Sequence, residues 1–153
     1  MEKRVKIAVV GVGLMGSQHL KAIKISKKAV LHSVVDINKD SSLQAKKFRV
    51  PFYKKTAALL KNNKPDAVIV ATPNQFHEKH SISFLNSKIP LLLEKPISDN
   101  IEKAKTIIKS SKKNKTPLLI GYHRRHNSMV SSVKKKIDSG KLGKIVSANV
   151  LCW

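Results

Sequence analysis

Short apolar runs alternate with amphipathic stretches along almost the whole chain. Runs rich in valine, isoleucine and leucine predict buried β-strands at Val5–Val10, Val30–Val35, Ala67–Ala71, Pro90–Glu94 and Pro117–Gly121, with a short extended piece at Pro51–Tyr53. The stretches between them repeat apolar residues every three or four positions and predict helices at Met15–Ser26, Asp40–Phe48, Thr56–Asn62, Phe76–Asn86 and Met129–Ile137. This alternation is typical of βαβ units. We therefore expect an α/β fold, a doubly wound Rossmann-type parallel sheet with helices on both faces.

Two further elements are predicted towards the C-terminus. A helix is expected to begin near Ser98, with Asp99 and Glu102 at capping-box spacing and an inward stripe of Ile101, Ala104 and Ile108. After a glycine-bounded turn, Lys144–Trp153 predicts the start of another strand. Because nothing follows that could pair with this strand, we expect the sequence to stop inside an element of a longer protein.

The composition limits the class of protein. With 153 residues, of which 41% are hydrophobic, one core of ordinary size is expected. A single cysteine, Cys152, excludes an internal disulfide framework and suits a reducing, cytoplasmic environment, and no Cys/His cluster has the spacing of a zinc site. The apolar stretch Ile7–Met15 is too short for a membrane span and lacks a signal-peptide cleavage site, so we expect no membrane association.

The net charge of +22 raises the question of a nucleic-acid partner. Of the 31 basic residues, 27 are lysines scattered over positions that the predicted helices turn towards solvent, and aromatic residues make up only 5% of the chain. Recognition of phosphates and bases favours clustered arginine and stacking aromatic side chains. The sequence therefore favours a solvated lysine-rich surface over a specific nucleic-acid site.

A glycine-rich loop follows the first predicted strand, where Gly11–Gly16 reads G-x-G-x-x-G. Gly11 permits a tight turn, Gly13 lets the backbone approach a pyrophosphate, and Gly16 allows the helix to pack closely on the sheet. The helix that follows this loop presents unpaired N–H groups and the positive end of its dipole to phosphate, and Leu14 and Met15 of the motif are expected to contribute to cofactor binding. Between a strand and an amphipathic helix, this loop predicts dinucleotide binding.

Asp36 ends the second predicted strand, 20 residues after Gly16. A carboxylate at this position accepts hydrogen bonds from the ribose hydroxyls and repels a 2′-phosphate, so we expect NAD rather than NADP. Lys39 is close enough along the chain to keep NADP open as the alternative.

Two polar clusters follow the next strands, Ala71-Thr72-Pro73-Asn74 with His77 and then Glu94-Lys95-Pro96, and a basic run lies at His123–Asn127. Together with the glycine loop, this combination resembles the Gfo/Idh/MocA family of oxidoreductases, which act largely on sugars and cyclitols. The resemblance extends over the whole chain. It implies that Thr72, Pro73, Asn74 and His77 line the nicotinamide-ribose side of the cofactor and that Glu94 holds ribose or nicotinamide groups.

The resemblance implies that Lys95 lies beside the reacting carbon as the catalytic residue. Oxidation of a secondary alcohol requires the O–H bond of the hydroxyl group to weaken while hydride leaves the carbon. A nearby ammonium group stabilises the alkoxide that develops. Arg125 matches a family arginine that contacts cofactor or substrate, although Ser128 stands where the family usually has proline. Taken alone, Glu-Lys-Pro is also typical of an exposed strand exit. His19, inside the first helix, is interpreted as structural.

The resemblance also implies the domain organisation. Residues 1–121 would form the dinucleotide-binding domain, and residues 122–153 a connecting helix and the first strand of a substrate domain that is otherwise missing. The implied function is the cofactor-binding part of an NAD-dependent dehydrogenase that transfers hydride between nicotinamide and a hydroxyl or ketone of a sugar, cyclitol or similar polyol. We expect the full-length form to be a homo-oligomer and this chain alone to be inactive. A non-catalytic nucleotide-binding or sensor module and a basic nucleic-acid-binding protein remain alternatives.

Overall fold

The structure, a computed structural model, describes residues 3–149. Its strands are β1 (Val5–Val10), β2 (Ala29–Val35), β3 (Phe52–Tyr53), β4 (Ala67–Val70), β5 (Leu91–Leu93) and β6 (Leu118–Ile120). All neighbouring strands pair in parallel, in the order β3-β2-β1-β4-β5-β6. The chain therefore winds outwards in both directions from the β1–β4 pair, and the predicted doubly wound sheet is confirmed.

The helices are α1 (Leu14–Ile25), α2 (Ser41–Phe48), α3 (Thr56–Asn62), α4 (His77–Asn86), α5 (Ile101–Asn114) and α6 (Ser128–Asp138). Short 3₁₀ helices occupy Asn74–Phe76 and His123–His126. Within the sheet region the helices alternate with the strands as the hydrophobic pattern predicts, because each parallel connection needs a crossover.

Hydrophobic side chains form a core on each face of the sheet. Because successive strand residues point to opposite faces, Val9 packs on one side while Ala8 and Val10 pack on the other. The first side also holds residues of α1 and α2, namely Leu20, Ile23 and Ala45. The second holds residues of α3, α4 and α5, namely Leu59, Phe84, Leu85 and Ile107. Burial on both faces explains why the strands are apolar at consecutive positions.

The predicted start and inward stripe of α5 are wrong. The N-cap is Asn100, whose side chain accepts the Lys103 N–H at 2.9 Å, whereas Asp99 forms an ion pair with the Lys103 ammonium. Ile101 and Ile108 are exposed, and the buried positions are Ile107 and Ser110. The buried face includes serine because Ser110 Oγ donates to the side-chain oxygen of Asn86 on α4, at 3.1 Å. The spacing of apolar residues alone therefore predicts the wrong buried face for α5.

The chain divides into two compact units, Met1–Gly121 and Tyr122–Trp153. In the second unit, Asn127 caps α6 through the backbone N–H groups of Met129 and Val130. The predicted apolar side of α6 is present but exposed, formed by Val130, Val133 and Ile137. Residues 144–149 do not form the predicted strand, and the rest of that run lies outside the described residues. In the part of the chain that the structure describes, no helix is long and apolar enough to cross a membrane.

Candidate functional site

The residues that directly follow the strands lie along one edge of the sheet, namely the edge formed by the carboxyl ends of the strands. Backbone hydrogen bonds between neighbouring strand ends hold them there. The N–H of Gly11 donates to Val35 O, that of Ala71 to Val10 O, that of Glu94 to Val70 O and that of Gly121 to Leu93 O, at 2.8–2.9 Å. Carboxyl ends of parallel strands are where such sheets bind ligands. The sheet thus brings the glycine loop and both strand-end clusters to a common edge.

At two positions of the loop, backbone atoms of neighbouring segments lie so close that glycine is required. Gly11 has φ +83°, and a β-carbon there would lie 2.8 Å from the carbonyl oxygen of Ala71. At Gly16 a β-carbon would lie 1.9 Å from the carbonyl oxygen of Gly11. Only glycine fits both positions, because each collision involves backbone that side-chain movement cannot relieve.

Gly13 differs from the other two glycines, since a β-carbon built there meets nothing within 4 Å. It is the N-cap of α1, no side chain caps the helix, and the first turn carries no acidic residue. Leu14 is exposed and Met15 is half-buried. The space beside Gly13 and the uncapped positive end of the helix together fit a phosphate group, which would use the room that a β-carbon would fill.

Asp36 lies beside this loop at the end of β2. Its Oδ2 accepts the N–H of Val12 at 2.7 Å, and its Oδ1 accepts the N–H of Asn38 at 2.9 Å. Each carboxylate oxygen has a second lone pair, so both retain capacity for hydroxyl donors. These two bonds hold the carboxylate next to the glycine loop, in a position suited to a ribose adjoining the phosphates.

The residues after β4 divide into exposed and buried positions. Pro73 and Asn74 are exposed, and Thr72 is half-buried. His77 is fully buried, and its ring nitrogens lie 2.9 Å from the carbonyl oxygens of Thr72 and Pro96. We therefore correct the expectation that His77 contacts the cofactor, because both ring nitrogens face backbone carbonyl oxygens and neither reaches the surface. The ring instead joins the segments that follow β4 and β5.

The cluster after β5 places two charged residues in different environments. Glu94 is buried, whereas Lys95 is exposed and its ammonium group makes no ion pair within residues 3–149. Glu94 Oε2 accepts the N–H of Lys95 at 3.2 Å, and Oε1 lies 2.7 Å from Nε2 of His19 on α1. The interpretation of His19 as merely structural misses this contact. Its position three residues after Gly16, on the face of α1 that carries Leu20 and Ile23, is the available sequence signal.

Arg125 belongs to the second unit. Its guanidinium carbon lies 5.8 Å from the ring centroid of Tyr122, a cation–π contact within that unit. Apart from His77, which is turned into the protein, the predicted site residues of the first unit follow β1, β2, β4 and β5 at the carboxyl ends of these strands, whereas Arg125 belongs to the second unit. Among residues 3–149, no group of three His, Cys, Asp or Glu side chains is arranged to hold a metal ion.

Comparison with known proteins decides the family. Residues 5–122 match the family model described as "Oxidoreductase family, NAD-binding Rossmann fold". The chain belongs to this family, Gfo/Idh/MocA. The resemblance inferred from the motifs is confirmed, and so is NAD as the cofactor of the fold.

Two curated dehydrogenases are among the proteins similar to this chain. Myo-inositol 2-dehydrogenase of Thermotoga maritima is 28% identical over 141 residues, which make up 91% of this chain and 42% of the relative. Glucose-6-phosphate 3-dehydrogenase of Bacillus subtilis is 28% identical over 146 residues, 95% of this chain and 41% of the relative. The chain spans about two fifths of the length of these relatives.

Among solved structures, scyllo-inositol dehydrogenase from Lactobacillus casei with bound NAD(H) and scyllo-inositol is similar over 94% of this chain and 43% of that one. The TM-score is 0.89 at 25% sequence identity. The Gfo/Idh/MocA assignment therefore agrees with both sequence and backbone.

Proposed function

We propose that this chain is the cofactor-binding part of an NAD-dependent dehydrogenase that interconverts a hydroxyl and a ketone on a cyclitol, sugar or similar polyol. Residues 1–121 form the dinucleotide-binding domain in this proposal, and residues 122–153 lead towards a substrate domain. The relatives support the substrate class, since they include inositol and glucose-6-phosphate dehydrogenases and one was crystallised with NAD(H) and an inositol.

The observation that carries the proposal is the juxtaposition of Gly13 and Asp36. The uncapped end of α1 offers N–H groups and open space to a pyrophosphate, and the Asp36 carboxylate is held at the loop by the 2.7 Å bond from Val12. A carboxylate at this point accepts from ribose hydroxyls and repels a 2′-phosphate, which favours NAD over NADP.

Lys95 is proposed as the catalytic residue. NAD, when bound, takes up or supplies the hydride. Lys95 follows Glu94 at the carboxyl end of β5 and is an exposed residue, which supports its access to the hydroxyl of a substrate. There it either accepts the hydroxyl proton or, remaining charged, stabilises the developing alkoxide.

Calorimetric titration with NADH and NADPH tests the cofactor site. The unmutated chain should bind NADH more tightly, and D36A should lose that preference through about tenfold weaker NADH binding, because hydrogen bonds to a charged group are lost. D66A is the matched control, since Asp66 accepts the N–H of Lys6 at the other end of β1, at 2.8 Å. Binding of neither cofactor, or an unchanged preference in D36A, would refute the proposed site.

The catalytic assignment is tested in a chain that also carries a substrate domain. K95A should lower turnover with a cyclitol or sugar by about 100-fold or more, as expected for loss of a general acid–base group. K64A is the control, because Lys64 is an exposed lysine that precedes β4 at the opposite edge of the sheet. Full turnover by K95A would contradict the role of Lys95.

A further inference from the structure

The contact between His19 and Glu94 joins two distant parts of the sequence. Nε2 and Oε1 are 2.7 Å apart, and the side chains are 21% and 7% exposed. A carboxylate only accepts hydrogen bonds, so Nε2 must carry the hydrogen and donate it to Oε1. With Glu94 ionised, this contact assigns the donated hydrogen to Nε2 of His19.

This hydrogen bond spans the switch point of the sheet. His19 belongs to α1, which follows β1, and Glu94 follows β5, with β4 lying between those two strands. Strands are spaced about 4.8 Å apart, so β1 and β5, which precede the two residues, lie about 10 Å from one another. Ligands of doubly wound sheets bind in the crevice at this switch point. The hydrogen bond therefore connects α1, the helix that follows the glycine loop, to Glu94, which directly precedes Lys95.

The other neighbours of Glu94 restrict its carboxylate further. Oε2 accepts the N–H of Lys95 at 3.2 Å. A β-carbon at Gly121 would lie 3.2 Å from the carboxylate carbon and from each of its oxygens, so the glycine leaves just enough room for the group. Each oxygen has one protein donor and keeps a lone pair. A carboxylate held in this way suits a ligand that offers hydroxyl or amide hydrogens.

We propose that His19 is a positioning residue that orients the Glu94 carboxylate towards the hydroxyl and amide donors of the nicotinamide–ribose end of NAD(H). His19 acts through Glu94 and need not touch the cofactor. The inference rests on the proposed binding of NAD(H) at this edge of the sheet. It makes the cofactor affinity depend on a helix residue that belongs to neither the glycine loop nor the strand-end motif.

A double-mutant cycle on the 153-residue chain tests this coupling, with NADH dissociation constants measured by calorimetry for the unmutated chain, H19F, E94M and the double variant. H19F should weaken binding about tenfold, as loss of a charge-assisted hydrogen bond implies. The double variant should bind no more weakly than E94M alone. H19Q, whose amide can donate to the carboxylate, should recover most of the affinity, and Q18A, an exposed position on the same helix, should bind normally.

The outcomes separate this inference from the proposed function. Failure of the unmutated chain to bind NADH would overturn both. If the unmutated chain binds, then normal affinity in H19F, or losses that add in the double variant, would overturn the positioning role alone. Thermal unfolding of each variant distinguishes lost folding from lost affinity, because a purely structural role lowers the unfolding midpoint without coupling the two NADH effects.

A second measurement needs no folded variant of Glu94. In the unmutated chain labelled with ¹⁵N-histidine, the His19 ring signals, identified by their absence in H19Q, should report a protonated Nε2 and shift when NADH is added. An unprotonated Nε2, or signals that NADH leaves unchanged, would overturn the proposal.

Discussion

The glycine loop and the cluster after β4 and β5 serve the same edge of the sheet, but they are built differently. The loop acts through backbone, and Gly11 and Gly16 are set by contacts of a β-carbon with neighbouring main chain. The cluster acts through side chains from separate elements, where His77 joins two loops and Glu94 bonds to His19.

The difference concerns how each region tolerates change. At Gly11 and Gly16 any added side chain collides with the main chain, and no rotamer relieves that collision. A side-chain cluster loses one hydrogen bond at a time, so its losses should be graded and specific. Substitutions in the two regions can therefore be ranked by the contact that each one breaks.

The largest effect is expected in the loop. G16A places a methyl group 1.9 Å from the carbonyl oxygen of Gly11, so the chain should lose roughly 5 kcal/mol of stability, as expected for severe overpacking against backbone. Urea unfolding measures this loss. G13A is the control, because its methyl group meets no atom; it should unfold normally while losing NADH affinity. Equal stability of G16A and G13A would contradict the distinction between these glycines.

An intermediate effect is expected in the cluster. H77F removes the ring nitrogens that lie 2.9 Å from the carbonyl oxygens of Thr72 and Pro96 and should lower the free energy of unfolding by about 1–3 kcal/mol. S81A is the matched control on the same helix, since Ser81 is buried and its hydroxyl has no partner within residues 3–149. A stability of H77F equal to that of S81A would show that the ring does not join the two loops.

The smallest expected effect is a pH dependence of the folding stability that is caused by His80, one turn after His77 on α4. Burial, with Lys79 and His77 adding positive charge, lowers the pKa of His80 below its usual 6.5. As the pH falls below about 6.5, the unfolded chain takes up this proton before the folded one. The stability contributed by His80 is therefore complete above that pH and is lost as the pH falls through the folded pKa.

Urea midpoints at pH 7.5 and 5.5, roughly one unit either side of the usual histidine pKa, measure this effect. H80F should reduce the loss of stability on acidification relative to the unmutated chain. H126Q, at an exposed histidine of the second unit, is the control. An identical pH response of H80F and the unmutated chain would exclude His80 as the cause.

The sequence by itself determined the features that depend on neighbouring residues. The strand Val5–Val10 and the helix Thr56–Asn62 have the predicted bounds, and the glycine loop lies between strand and helix as its spacing requires. Local conformational preferences and the hydrophobic period fix these elements, because a buried parallel strand must be apolar on both faces. The position of Asp36 at the end of β2 follows from the same reasoning.

Only the tertiary structure decided which side chains meet across elements. The buried face of α5 depends on Ser110 and its bond to Asn86 on another helix, which an apolar stripe does not contain. His77 is turned into the protein by two carbonyl oxygens, and His19 reaches a carboxylate 75 positions away in the chain. Such contacts depend on how the crossovers bring the strands together, so a local sequence pattern can mark a residue such as His19 but does not specify its partner.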